Sequence, residues 1–315
     1  MTRNSIGNTI EIVDKKIEEF KRDAEAGDAS AQFCLGQCYI NGTGVTVDRR
    51  EAVKWYTRAA EGGNSGAQYN LGVCYQDGDG ITVDLREAVK WYTRAAEGGV
   101  SSAQFNLGLC YAKGTGVTLN FTETVKWYTR AAKNGDCYGQ LCLGLCYAKG
   151  DGVTFDQREA VKWFTRAAKA GNAMAQYRLG ICYQDGDGVS VDFREAVKWY
   201  TRAAEAGDVK AQYNLGACYM KGDGIIVDKC KAFTWFKRAA DSGNRDAQRA
   251  LGDCYFKGEG VGVDKREAIK WLTLAADAGD AIAQEYLGYC YKTGDGVDID
   301  IQESKKWYAL ASVPR

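Results

Sequence analysis

The tripeptide Lys-Trp-Tyr, or a close variant of it, returns every 36 residues without insertion or deletion and sets eight tryptophans at Trp55, Trp91, Trp127, Trp163, Trp199, Trp235, Trp271 and Trp307. A fixed period of this length marks a stack of small supersecondary units, none of which can bury its apolar face alone. Helices are permitted almost throughout, because the lone proline is Pro314. With 45% apolar and 26% charged residues, the chain has ample material for an aqueous protein with a packed core.

Lys+Arg and Asp+Glu both number 41, so no basic excess points to nucleic acid or an anionic membrane. Residues 1–20 scatter Arg3, Glu11, Asp14, Lys15 and Lys16 through a short apolar content and show no signal-peptide core, and no later run suits membrane insertion. The expected location is the cytosol, with the endoplasmic reticulum lumen as the alternative if a signal sequence is missing from this chain.

Eight of the 12 cysteines share one repeat position: Cys38, Cys74, Cys110, Cys146, Cys182, Cys218, Cys254 and Cys290. Equivalent residues of stacked helix pairs lie about 10 Å apart, beyond the reach of a disulfide, so these thiols are expected as small buried hydrophobes. The others are Cys34, Cys137, Cys142 and Cys230; two thiols at helical spacing do not make a zinc site, and the chain has no histidine to complete one. No metal or cofactor is expected.

Residues 64–99 show how one unit folds. Asn64 can cap a first helix carrying Ala67, Tyr69, Leu71, Gly72, Cys74 and Tyr75, which stops at Gly78 and Gly80. Asp84 opens a second helix, and Glu87 three residues on suggests a capping box in which each side chain satisfies the other residue's backbone N–H. That helix carries Ala88, Val89, Trp91, Tyr92, Ala95 and Ala96 and ends at Gly99, where a left-handed cap is expected. At the start of the chain, residues 14–28 align with a second helix but hold Glu19 in place of tryptophan, and near the other end Lys305 replaces the position of Val53 and Val89. The tryptophan is therefore expected to pack on the first helix of its own pair, and the valine position to face the following repeat. The domain reading is a tail over residues 1–13, an N-terminal capping helix over 14–28, and eight repeats over 29–315 as a single solenoid.

The pattern Ala-Gln-Tyr-x-Leu-Gly-x-Cys-Tyr-x-x-Gly-x-Gly, followed by Asp-x-x-Glu-Ala-Val-Lys-Trp-Tyr-x-x-Ala-Ala-x-x-Gly, runs from Ala67 to Gly99 and recurs eight times. It resembles the Sel-1-like repeat, a relative of the tetratricopeptide repeat. The resemblance implies an all-α, right-handed superhelix of helix-turn-helix repeats with the first helices lining a concave face. It also implies a scaffold or adaptor that assembles protein complexes. Cysteine-rich secreted bacterial members carry two bridging cysteines per repeat; the second helix here normally has none, which counts against a beta-lactam-binding hydrolase of that branch, one alternative reading of the resemblance. An adaptor of endoplasmic-reticulum protein degradation is the other alternative, and without a signal sequence Asn41-Gly-Thr and Asn120-Phe-Thr are expected to be unmodified.

Comparison of the repeats within the chain separates constant from variable positions. On the first helix the variable places are those of Gly66, Asn70, Val73 and Asp77, whose spacing traces one helical stripe. Its members include Asn106, Leu109, Lys113, Tyr138, Leu145, Lys149, Met174, Arg178, Ile181, Tyr286 and Tyr289. Packing fixes the other faces, so this stripe is the expected partner surface, lining the concave groove, with Leu109, Leu145 and Ile181 as an apolar strip flanked by polar and basic side chains. The second helix offers a rival surface in Glu51, Lys54, Arg58 and Glu61, repeated so uniformly that a solvated outer face is the simpler expectation.

Enzyme chemistry finds little footing. Without histidine there is no Ser-His-Asp triad, Cys-His pair or His-ligated zinc. The Gly-x-Gly turns lack the third glycine, preceding strand and following lysine of phosphate loops, and the Asp77-Gly-Asp79-Gly run continues into Ile81 instead of further calcium ligands. The expectation is a monomeric, non-catalytic adaptor for a protein or peptide.

Overall fold

A computed structural model describes residues 16–312; the expected tail and the start of the capping helix at Asp14 lie outside the described residues. It is all-α, with helix pairs repeated in tandem. Two compact units divide at Asp156 and Gln157, inside the fourth repeat. In the first, α1 covers residues 16–25 and is followed by α2 (Ala29–Asn41), α3 (Arg49–Glu61), α4 (Ser65–Asp77), α5 (Leu85–Glu97), α6 (Ser101–Lys113), α7 (Phe121–Lys133) and α8 (Cys137–Lys149). The second contains α9 (Gln157–Lys169), α10 (Ala173–Asp185), α11 (Phe193–Glu205), α12 (Val209–Lys221), α13 (Lys229–Asp241), α14 (Arg245–Lys257), α15 (Lys265–Asp277), α16 (Ala281–Thr293) and α17 (Ile301–Ala311).

Helices of 13 residues are marginal alone in water, so their ends and their packing must hold them. The Asn64 side chain accepts from the Ala67 N–H at 2.9 Å, and α4 closes on Gly78 in the left-handed region. Asp84 caps α5 through the Arg86 and Glu87 N–H groups. The reciprocal half of the expected capping box is replaced by another arrangement. The Asp84 N–H donates to the Tyr75 carbonyl of the preceding helix at 2.9 Å, and Asp48 does the same to Tyr39 at 3.0 Å. Glu51 is thereby released to meet Lys54 at 2.7 Å, and Glu87 pairs with Lys90.

Within a unit, a first helix such as α4 or α12 is clasped by two second helices. Trp91 joins Ala67, Leu71 and Cys74 of its own pair, and the same core takes in Val53, Tyr56, Ala59 and Ala60 from the second helix before it. The tryptophan thus serves its own pair and the seam with the preceding repeat, while the valine position faces the following one. Val197, Tyr200, Ala211 and Leu215 repeat the forward seam in the second unit. α1 supplies Ala24 to the core of Leu35 and Trp55, in the place a preceding second helix would fill. Glu19 and Lys305 are exposed.

The glutamine of each Ala-Gln pair is a buried polar tie that sequence reasoning left without a role. Gln68 Nε2 donates to the Ala60 carbonyl at 3.0 Å, and Gln104 does so to Ala96 at 3.0 Å, satisfying a carbonyl at the end of the preceding second helix. The loops make a second tie. Gly116 has φ 71°, and a β-carbon there would overlap the Leu85 carbonyl oxygen, so both its conformation and its closeness to the preceding repeat demand glycine. Gly135 has φ 87° with open space around it. Gly116→Ala should therefore cost about 2–4 kcal/mol in urea unfolding, against about 1 kcal/mol for Gly135→Ala. Equal costs would show that the close approach contributes nothing.

Candidate partner-binding site

The stripe is only partly free. In the first unit Asn70, Asn106, Leu109 and Leu145 are half-buried, whereas Lys113, Tyr138 and Lys149 are exposed. In the second, Ile181 and Tyr286 are half-buried and Met174, Arg178 and Tyr289 are exposed. Leu109 and Leu145 belong to one unit and Ile181 to the other. Ile181 packs on the core of Val197, Tyr200 and Leu215, and Val73 on that of Tyr92 and Leu107. Apolar stripe residues of the Val73 type thus have a structural use, contrary to expectation.

A further structural duty falls on the Asn70 position. The tyrosine of each Lys-Trp-Tyr lies against the glycine of its own first helix; a β-carbon on Gly72 would come within 2.7 Å of the Tyr92 ring. Its hydroxyl reaches the next first helix. Asn70 stands close to the Tyr56 hydroxyl, Asn106 to that of Tyr92 and Asn214 to that of Tyr200, and the Cys142 thiol stands close to the Tyr128 hydroxyl. Tyr92 and Tyr200 also donate to Gln76 Oε1 and Gln184 Oε1, at 3.1 and 3.0 Å. A buried phenol needs such a partner. Burial raises the hydroxyl of Tyr56 to about 12, and those of Tyr92, Tyr128 and Tyr200 well above the ordinary phenol range.

The pairing rule explains the variation. Where the tyrosine becomes Phe164, Phe236 or Leu272, no hydroxyl remains, and the matching stripe residues are Arg178, Ala250 and Tyr286. These three are released from that duty, and Arg178 is exposed. Within the chain, this coupled change is the one signal from which the internal role of Asn70 and Asn106 could have been found.

Exposed apolar side chains mark the part of the stripe that internal packing does not use. On the first helices, the large apolar residues more than a third exposed are Tyr138 (58%), Met174 (51%), Ile282 (58%) and Tyr289 (52%), and all lie on the stripe. Tyr138 stands against Phe105 at 5.9 Å between ring centroids. Met174 and Arg178 share a cleft with Tyr177, Asp208, Val209 and Lys210 between α10 and α12. A second cleft between the same helices takes in Asp185, Asn214, Ala217 and Lys221.

Two other surfaces are structurally engaged. On the second helices the Glu-Lys pairs face one another, as in Glu159 with Lys162 at 2.7 Å, and Arg58, Arg94 and Arg130 lie over Trp55, Trp91 and Trp127 at 4.7–4.8 Å. A row of exposed loop residues, including Val47 and Val83 in the first unit and Val191 and Val227 in the second, was not anticipated from sequence. Each of these closes over the glycine that ends its first helix, with a valine methyl 2.8–2.9 Å from where a β-carbon would stand.

The eight cysteines of the shared repeat position are buried, unbridged thiols. Among the described residues no cluster of three potential metal ligands occurs, and no helix is long and apolar enough to cross a membrane.

Tandem helix pairs with a constant, internally bonded seam and a variable exposed stripe define a helical-repeat protein of the tetratricopeptide-like class. The chain belongs to the Sel1 repeat family, whose profile matches residues 29–64, 65–100, 101–136, 138–172, 173–208, 209–244, 245–280 and 281–312. The solenoid of this family is commonly used for protein–protein interaction, and its members are generally non-catalytic scaffolds. The chain is similar to c5321, a protective antigen of uropathogenic Escherichia coli strains displaying an SLR fold, at 36% identity and a TM-score of 0.89. That match covers 94% of this chain but only 64% of c5321. A Sel1 repeat protein from Oxalobacter formigenes is 34% identical with a TM-score of 0.71, covering 96% of this chain and 89% of its own. No curated protein matches the chain.

Proposed function

We propose that the protein is a non-catalytic adaptor that holds a protein or peptide partner along the stripe of its first helices. The observation that supports this is the confinement of every large exposed apolar side chain of those helices to the stripe. Met174 lines one cleft with the exposed cation Arg178, the mixture of apolar anchor and polar rim that peptide surfaces use. The adaptor acts as a monomer, and its free thiols suit a reducing compartment such as the cytosol.

Tyr138→Glu combined with Arg178→Glu changes two exposed side chains and should leave the helical circular dichroism spectrum intact. Affinity capture with mass spectrometry should recover from wild type a partner that this double variant loses. A partner held equally well by both would place the binding surface elsewhere.

A further inference from the structure

We infer that the cleft between α10 and α12 takes an acidic side chain flanked by a large apolar one, from a peptide segment of the partner. This inference rests on the stripe being the partner surface. The cleft encloses 270 Å³ and is lined by Met174, Tyr177, Arg178, Asp208, Val209 and Lys210.

Its lining carries two cations against one carboxylate. Arg178 and Lys210 are both exposed and neither has an ion-pair partner among the described residues. Asp208 is the one carboxylate in the lining, and it is committed to the helix end, accepting from the Ala211 N–H at 2.8 Å. Arg178 also has no internal duty, because Phe164 lacks the hydroxyl that occupies asparagine in other repeats. Two uncommitted cations thus stand in a molecule whose formal charge is zero. A guanidinium fork beside an ammonium group complements a carboxylate, which can accept two parallel N–H bonds from the fork.

The apolar half of the lining fixes the neighbour of that carboxylate. Met174 is 51% exposed and has an unbranched, adaptable side chain, while Tyr177 and Val209 are half-buried and form a firmer wall. Tyr177 is held by its contact with Tyr200, 6.1 Å between ring centroids, so the wall is in place before a ligand arrives. A leucine or aromatic side chain next to an aspartate or glutamate would fill both halves.

The test is selection from a phage-displayed random dodecapeptide library against the intact chain, with Arg178→Glu/Lys210→Glu, Met174→Glu and Tyr138→Glu variants as comparators. Enriched peptides should carry Asp or Glu beside Leu, Phe or Trp. A synthetic copy should bind about tenfold more weakly when its acid is changed to the amide, and the Arg178→Glu/Lys210→Glu protein should lose at least as much. Enrichment without acidic bias, or binding unchanged by Arg178→Glu/Lys210→Glu but weakened by Tyr138→Glu or Met174→Glu, overturns the acidic-ligand inference and leaves the stripe standing. Binders indifferent to all these variants, or no enrichment at all, overturn both.

Discussion

Raising the pH from about 8 to about 10 under reducing conditions should remove most of the protein's resistance to urea. Burial pushes the thiols of Cys74, Cys110, Cys142, Cys182, Cys218 and Cys290 up to about 11, and those of Cys146 and Cys254 up to about 12. In the unfolded chain a thiol titrates near about 8.5. A group whose folded pKa is raised contributes stability that is fully present below the unfolded value and is lost as pH climbs through the folded one. Between those limits each thiol withdraws up to about 1.4 kcal/mol per pH unit, so by about pH 10 the loss is on the order of 1–2 kcal/mol per thiol. The raised tyrosines act in the same direction at higher pH. Urea midpoints followed by circular dichroism should fall steeply across this range. In a Cys74, Cys110, Cys182 and Cys218 to alanine variant, which keeps four of these eight thiols, the fall should be about half as steep, whatever its starting stability. Equal midpoints at both pH values, or parallel falls in the two proteins, would contradict the assignment of these thiols to the packed seam.

Trp91→Ala should cost about 3–5 kcal/mol, the usual toll for deleting a large aromatic from a core. Trp91 is 9% exposed and touches the packing of three helices, with Ala67, Leu71 and Cys74 on α4 and Ala59 and Ala60 on α3 in the same cluster as its own α5. Arg94 lies over its ring at 4.7 Å and would lose that contact as well. Because each repeat leans on its neighbours, the damage should be local before it is global. Hydrogen exchange should show protection lost first in α3, α4 and α5. Loss confined to α5 would mean that the tryptophan does not bind the seam; an unchanged urea midpoint would mean that it is not a core residue.

Much of this fold was legible in the chain. The 36-residue register, the caps at Asn64 and Asp84 and the terminating glycines gave helix pairs because each is a local preference of backbone and short side chains. The capping box was legible only by half. The Asp84 N–H goes to Tyr75, a bond across the loop that no three-residue pattern encodes. The proposed partner site was legible as a stripe and not as a set of free residues. Tyr138, Met174, Arg178 and Tyr289 emerge exposed, but Asn70 and Asn106 answer the hydroxyls of Tyr56 and Tyr92, and Ile181 fills core space.

The sequence by itself determined the repeat, its two helices and the positions allowed to vary, since period, caps and glycines act over a few residues. Tertiary structure alone decided which variable positions stay exposed. That depends on what the neighbouring repeat presents: the buried Tyr92 hydroxyl stands against Asn106, while Phe164 presents no hydroxyl to Arg178. Whether a stripe residue meets a phenol or stands clear of one is set 14 residues back in the chain, on another helix.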